Sequence, residues 1–136
     1  MPATCALAKN FDQKKIMNFF RGHWKSILVC ICIICLSFVN ISDANVHTFL
    51  GADKVVHLLM YLVLGATLTW ESLAKKPKTL QLYLTAIIFP MLFGVAIELA
   101  QHLWLPQRTG DGWDILANFI GIIIGFRLVV VISSKL

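Results

Sequence analysis

The sequence predicts an all-α fold, a polytopic membrane protein built as a bundle of four transmembrane helices. Of its 136 residues, 58% are hydrophobic and only 14% are charged, a balance that soluble domains rarely have. An apolar run of roughly 18 residues or more with few charges predicts a membrane-spanning helix. Four runs meet or approach this length, at residues 26–41, 55–70, 80–105 and 115–132.

The first run follows a basic tail, which divides the chain into a cytoplasmic tail of residues 1–25 and a four-helix domain of residues 26–136. A basic segment, an apolar run and the Ser-Asp-Ala sequence at residues 42–44 also fit a cleaved signal peptide. Because the basic segment is long and cleavage would leave only three spans, we expect the first span to be retained.

Cap and turn residues mark the ends of the second and third spans. Asp53 can cap the second helix, where a carboxylate favours the positive end of the helix dipole. Pro77 marks the turn between these spans, and Pro106 ends the third span. Pro90 lies within the third span and predicts a kink there, because proline removes a backbone donor.

The fourth span begins after a tight turn at residues 109–112, and Asp114 is a natural N-cap for its helix. Ala117, Gly121 and Gly125 then recur at intervals of four residues. Small residues at this spacing let two helix backbones approach closely in lipid. We therefore predict a helix-packing surface here. It would meet either a neighbouring helix, the third span at Gly94 or the second span at Gly65, or a second copy of the chain.

Basic residues collect at one end of the predicted helices. Five precede the first span, three lie in the loop at residues 75–78, and two lie near the C-terminus. By the positive-inside rule, this distribution places both termini in the cytoplasm. The formal net charge of +5 therefore reflects topology and attraction to anionic lipid. We expect membrane lipids as partners and no nucleic acid.

The other end of the helices carries most of the conspicuous polar side chains. A charged side chain at the bilayer centre costs about 2.5–3.5 kcal/mol on insertion scales, so such residues usually face protein or water. Side chains three or four residues apart share a helix face, and three polar stripes would therefore converge in an outer-leaflet cavity. The candidate ligand-binding residues are Asp53, Lys54, His57, Tyr61, Glu98, Gln101, Arg108, Asp111, Asp114 and Asn118.

The cluster includes residue types that bind metals, namely Asp53, His57, Glu98, His102 and Asp114, and a bound metal would activate water. No metalloprotease motif or paired metal motif accompanies them, and the four cysteines show neither zinc spacing nor a disulfide framework. We therefore predict no metal site and no cofactor. A serine hydrolase is disfavoured because no serine accompanies the cluster. A proton-coupled transporter would place its carboxylate near mid-membrane, whereas Glu98 lies near a helix end.

The ordered pattern resembles the VanZ-like membrane protein family. It reads D-K-x-x-H-x-x-x-Y from Asp53 to Tyr61, E-x-x-Q at residues 98–101, and R-x-x-D-x-x-D-x-x-x-N-x-x-G from Arg108 to Gly121. The resemblance covers residues 36–125. It implies a multi-pass protein of the bacterial inner membrane, in a family whose namesake lowers susceptibility to the glycopeptide antibiotic teicoplanin.

These observations favour a non-enzymatic protein of the cell envelope that binds the head group of an anionic lipid or a polyprenyl-linked cell-wall precursor. The Arg108 guanidinium and the Lys54 ammonium would hold phosphate, unless Arg108 only pairs with neighbouring carboxylates. The remaining residues would orient these cations or donate hydrogen bonds. One alternative is a membrane hydrolase or transferase with Glu98 or His57 as general base. The other is a polar cluster that only fastens three helices together.

Overall fold

The computed structural model describes residues 13–14, 16–18, 20–38, 52–104 and 112–135, and for residues 52 and 53 it describes the backbone alone. This part of the chain folds into helices and contains no strand. The four main helices are α1 (Trp24–Phe38), α2 (Ala52–Leu73), α3 (Thr79–Trp104) and α4 (Gly112–Ser133). The predicted all-α fold is confirmed.

Three of the helices are long and apolar enough to cross a membrane, and these spans are Lys54–Leu73, Thr79–Trp104 and Gly112–Ser133. α1 has 15 residues and rises about 22 Å at the usual helical rise, less than the roughly 30 Å of a hydrocarbon core. Together with the helical segment Ile16–Gly22, from which a bend of 75° separates it, α1 would form a fourth span. The predicted ends at residues 41 and 105 lie outside the described residues.

α3 is irregular just before Pro90. A π-helical segment, Leu84–Ile88, interrupts the α-helix, which resumes at Phe89. Proline has no backbone N–H and its ring crowds the carbonyl four residues earlier, which here belongs to Ala86. Wider turns of this kind accommodate such a defect inside a helix. The structure thus has a π-helical segment beside Pro90, and the kink expected from the sequence stays a prediction.

α2 and α4 pack backbone against backbone at the centre of the bundle. A Cβ atom at Gly121 would collide with the carbonyl oxygen of Leu58, and one at Gly125 with that of Leu62. Ala117, one turn earlier on α4, is also buried. In the described structure the small residues of α4 thus face α2 within one chain, whereas Gly94 of α3 lies elsewhere, against Tyr61 and Asn118.

α2 also contributes a small residue to its contact with α4. A Cβ atom at Gly65 of α2 would lie 2.8 Å from the carbonyl oxygen of Ile122 on α4. A small apolar core surrounds this contact, formed by Ile33, Tyr61, Leu64, Leu68 and Ile122. Many large apolar side chains on the outer faces of the helices are exposed, as expected for surfaces that contact lipid. α2 and α4 thereby hold their polar residues at one end of the bundle in a fixed register.

Candidate functional site

Buried polar side chains from three helices meet at one end of the bundle. His57 of α2, Glu98 of α3, and Asp114 and Asn118 of α4 expose only 4%, 5%, 7% and 3% of their surface. His57 lies about one turn after the start of α2, Glu98 lies near the end of α3, and Asp114 lies in the first turn of α4. Antiparallel neighbours therefore bring these side chains to the same depth, and we call this group the buried polar cluster.

His57 is the centre of the cluster. Its Nδ1 atom lies 3.2 Å from Oδ1 of Asn118 and 3.4 Å from Oε1 of Glu98. When Nδ1 carries a proton, it can donate to either oxygen. The imidazole therefore links α2 to both of the other helices, and buried polar groups of this kind are stable only when they are paired.

Lys54 lies at the rim of the cluster. Its Nζ atom is 3.9 Å from Oδ1 of Asp114. The lysine side chain is 42% exposed, whereas the aspartate side chain is only 10% exposed. Lys54 and His57 are three residues apart and so share a face of α2. An ammonium group accessible from outside is thus held beside a buried carboxylate.

Tyr61 lies one turn deeper than His57 and is 1% exposed. Within the described part of the chain, its hydroxyl group makes no hydrogen bond, and neither does Nδ2 of Asn118. The tyrosine ring and Nδ2 adjoin Gly94, where a Cβ atom would lie 3.1 Å from the ring and 3.3 Å from Nδ2. Glu98 follows Gly94 by one helical turn, so Tyr61 borders the buried polar cluster on the side of Asn118.

Gln101 contacts a different helix. Its Nε2 atom donates a hydrogen bond of 2.7 Å to the backbone carbonyl of Ser37, in the last turn of α1. The last carbonyls of a helix have no intrahelical donor, so Gln101 satisfies one of them and fastens α1 to α3. Ser37 was not among the residues predicted from the sequence, and no local pattern marks it.

Some predicted site residues are not part of this geometry. Arg108 and Asp111 lie outside the described residues, as does the side chain of Asp53, whose backbone belongs to the first turn of α2. His102 is exposed on α3. The described candidates that meet in or around the buried polar cluster are Lys54, His57, Tyr61, Glu98, Asp114 and Asn118.

Sequence reasoning missed a second polar site, at the other end of α2. Glu71 is buried and accepts hydrogen bonds from the backbone nitrogen of Lys25 at 3.0 Å and from Oγ of Ser26 at 2.6 Å. Nδ1 of His23 lies 3.4 Å from the same carboxylate. The first N–H groups of a helix need acceptors, and Glu71 supplies one for α1. A lone carboxylate ending an apolar run was the signal that could have revealed it.

The chemistry available to the buried polar cluster follows from its composition. His57, Glu98 and Asp114 each offer a metal-ligand atom, and these three atoms lie within 4.8 Å of one another. Two buried carboxylates need compensating positive charge, which protons, the Lys54 ammonium or a bound cation can supply. The arrangement can therefore relay hydrogen bonds between helices, present Lys54 to an anion, or bind a cation.

A sequence model of the VanZ/LLP1 family matches residues 10–133, which is nearly the whole chain. Comparisons with curated proteins and with solved structures gave no match. All the motif residues that carry the resemblance, from Asp53 to Gly121, lie within the matched range, as do α1, α2, α3 and α4. This helical membrane protein therefore belongs to the VanZ/LLP1 family.

Proposed function

We propose that this protein belongs to the bacterial cell envelope and binds the phosphate-bearing head group of a membrane lipid or a polyprenyl-linked cell-wall precursor. The observation that carries the proposal is the position of Lys54. Its side chain is partly exposed at the rim of the buried polar cluster, and a carboxylate oxygen of Asp114 lies 3.9 Å from its ammonium nitrogen. An ammonium at the membrane interface attracts phosphate, and a fixed carboxylate behind it orients the charge. Arg108, from the loop that precedes α4, would be the second phosphate ligand.

The charge distribution supports an outward-facing site. Lys54 is near the start of α2, whereas the lysine-rich turn at residues 75–78 follows the end of that helix. The positive-inside rule assigns the lysine-rich end to the cytoplasm, and Lys54 then faces outward. Glycopeptide antibiotics act on cell-wall precursors displayed on the outer face. Head-group binding on that side would alter access of teicoplanin to its target, and we propose this as the route to any effect on susceptibility.

The test is native mass spectrometry of protein released from its own membrane. Wild type is compared with Lys54→Gln and Arg108→Ala, and Lys78→Gln serves as the matched control because Lys78 is exposed beyond the opposite end of α2. We expect wild type and the control to retain a phosphate-bearing lipid, and each of the other two variants to retain at least about tenfold less, since each loses a charge-assisted contact. Equal retention by Lys54→Gln and Lys78→Gln would contradict the proposal.

A second candidate function rests on the contact between His57 and Glu98. A carboxylate 3.4 Å from an imidazole nitrogen is an arrangement that orients a general base. A membrane hydrolase or transferase acting on a lipid-linked phosphate would use it. Turnover of a polyprenyl phosphate substrate by wild type, abolished in Glu98→Gln but kept in Lys78→Gln, would establish this function. The burial of both side chains favours binding over turnover.

A further inference from the structure

We propose that His57, Glu98 and Asp114 bind a divalent transition-metal cation, although the sequence alone predicted no metal site. Zinc and manganese are the best candidates. Each residue comes from a different helix, and the three ligand atoms lie within 4.8 Å of one another. This site goes beyond head-group binding and does not depend on it, because its three ligands lie inside the bundle and Lys54 is not among them.

The spacing of the ligand atoms suits a small cation. Ligand bonds of about 2.0–2.2 Å in tetrahedral geometry place neighbouring ligand atoms about 3.4 Å apart. Nδ1 of His57 and Oε1 of Glu98 are separated by 3.4 Å. The Asp114 carboxylate would have to approach by roughly an ångström to complete a three-ligand site, a movement within reach of a side-chain rotation.

The ligand chemistry favours a transition metal. Zinc accepts imidazole nitrogen and carboxylate oxygen, and manganese accepts carboxylate oxygen, whereas calcium and magnesium prefer oxygen ligands throughout. A doubly charged cation would also neutralise the two carboxylates of Glu98 and Asp114, which expose only 5% and 7% of their surface.

A second observation points to a bound group. The Tyr61 hydroxyl and Nδ2 of Asn118 are buried, and neither has a hydrogen-bond partner among the described residues. The Tyr61 ring and Nδ2 of Asn118 both lie beside Gly94, one turn from Glu98. A water molecule or hydroxide on the metal would accept hydrogen bonds from the Tyr61 hydroxyl and from Nδ2. Such outer partners usually accompany protein metal sites.

Binding would exchange a proton for the metal. Nδ1 of His57 faces both Oε1 of Glu98 and Oδ1 of Asn118, so in the metal-free protein a proton on Nδ1 lies between two acceptors. Metal coordination needs Nδ1 without a proton. In a neutral imidazole the proton then lies on Nε2, and from an imidazolium one proton is released to solvent. The amide oxygen of Asn118 would then be available as a fourth ligand.

The experiment is metal analysis of protein purified in detergent through a tag without histidine and without chelator. Wild type and Glu71→Gln are expected to carry about one zinc or manganese ion per chain, whereas Glu98→Gln should carry at least about tenfold less. Glu71 is the matched control because it is an equally buried carboxylate at the other end of α2. EDTA should lower the Tm of wild type, and added zinc or manganese should restore it.

Two results would overturn the cation site. One is the finding that wild-type protein carries no metal and that its Tm does not respond to zinc or manganese. This measurement is informative even if Glu98→Gln fails to fold. The other is Glu98→Gln or Asp114→Asn with the metal content of wild type. Lys54→Gln separates this proposal from head-group binding, since it should keep the metal while losing the lipid.

Discussion

The carboxylate of Glu71 on α2 caps the N-terminus of α1 through the backbone nitrogen of Lys25, at 3.0 Å. The two residues are 46 positions apart, so one helix supplies the cap of another. The neighbouring Ser26 hydroxyl donates to the other carboxylate oxygen at 2.6 Å. α2 therefore has a polar contact site at each end, with the buried polar cluster at its start and this cap at its end.

Glu71→Ala should lower the stability of the protein by about 1–3 kcal/mol, because it leaves buried donors without an acceptor. Thermal unfolding in detergent measures the effect. Ser26→Ala removes only one of the donors and should cost less. In the double variant the two effects should fall short of their sum, because both changes remove the same hydrogen bond. Strict additivity would show that this hydrogen bond does not stabilise the fold.

Gly121→Ala should destabilise the bundle by about 1–3 kcal/mol or more, because the added methyl group meets backbone that cannot rotate away. A Cβ atom at this position collides with the Leu58 carbonyl, whereas one at Gly112 meets nothing within 4 Å. Gly112→Ala is therefore the control and should change stability by no more than about 0.5 kcal/mol. Equal Tm values for the two variants would contradict the close packing of α2 on α4.

Gln101 offers a test that separates a fastening contact from a ligand contact. Gln101→Ala should cost about 0.5–1.5 kcal/mol, the usual contribution of one hydrogen bond. Gln101→Glu should cost more, because a carboxylate would then face the Ser37 carbonyl that now accepts from Nε2. Both values come from thermal unfolding. If Gln101→Glu is as stable as wild type and only loses bound lipid, the residue acts as a ligand.

Cysteine labelling tests the orientation of the helices. In a variant without native cysteines, a membrane-impermeant maleimide applied to intact cells should label Gly112→Cys and leave Lys76→Cys unlabelled. Both residues are exposed, Gly112 at the start of α4 and Lys76 in the connection between α2 and α3, and the positive-inside rule assigns residue 76 to the cytoplasm. After the cells are opened, both positions should react. The reverse pattern in intact cells would show that the site faces the cytoplasm, and the proposed link to teicoplanin would then be wrong.

Much of this architecture could be predicted from residue spacing. The apolar runs located the spans, and an interval of four residues placed His57 with Tyr61 and Asp114 with Asn118. Convergence of the three polar stripes could also be expected, since short connections make successive helices antiparallel. The spacing of Gly121 and Gly125 predicted close packing, and Gly65 made α2 one of the candidate partners. Spacing alone could not choose between α2, α3 and a second copy of the chain.

Other features could not be predicted, because they depend on contacts between distant residues. The lone carboxylate of Glu71 at the end of an apolar run could signal a polar contact, but no local pattern identifies its partners Lys25 and Ser26. No local pattern links Gln101 with Ser37 either. Pro90 predicted a kink in the third span, but proline alone does not specify a π-helical segment. Side-chain distances such as that from His57 to Glu98 depend on helix rotation, which periodicity gives only coarsely.

The two fastening contacts of α1 bear on how the protein is assembled during synthesis. In lipid, helices associate through packing and hydrogen bonds. An apolar helix surface gains little by exchanging contact with acyl chains for contact with another helix. α1 enters the membrane first, yet its acceptor Glu71 and its donor Gln101 belong to helices made later. We therefore expect α1 to remain a separate helix in the bilayer until α2 and α3 have been inserted, and to pack against them only then.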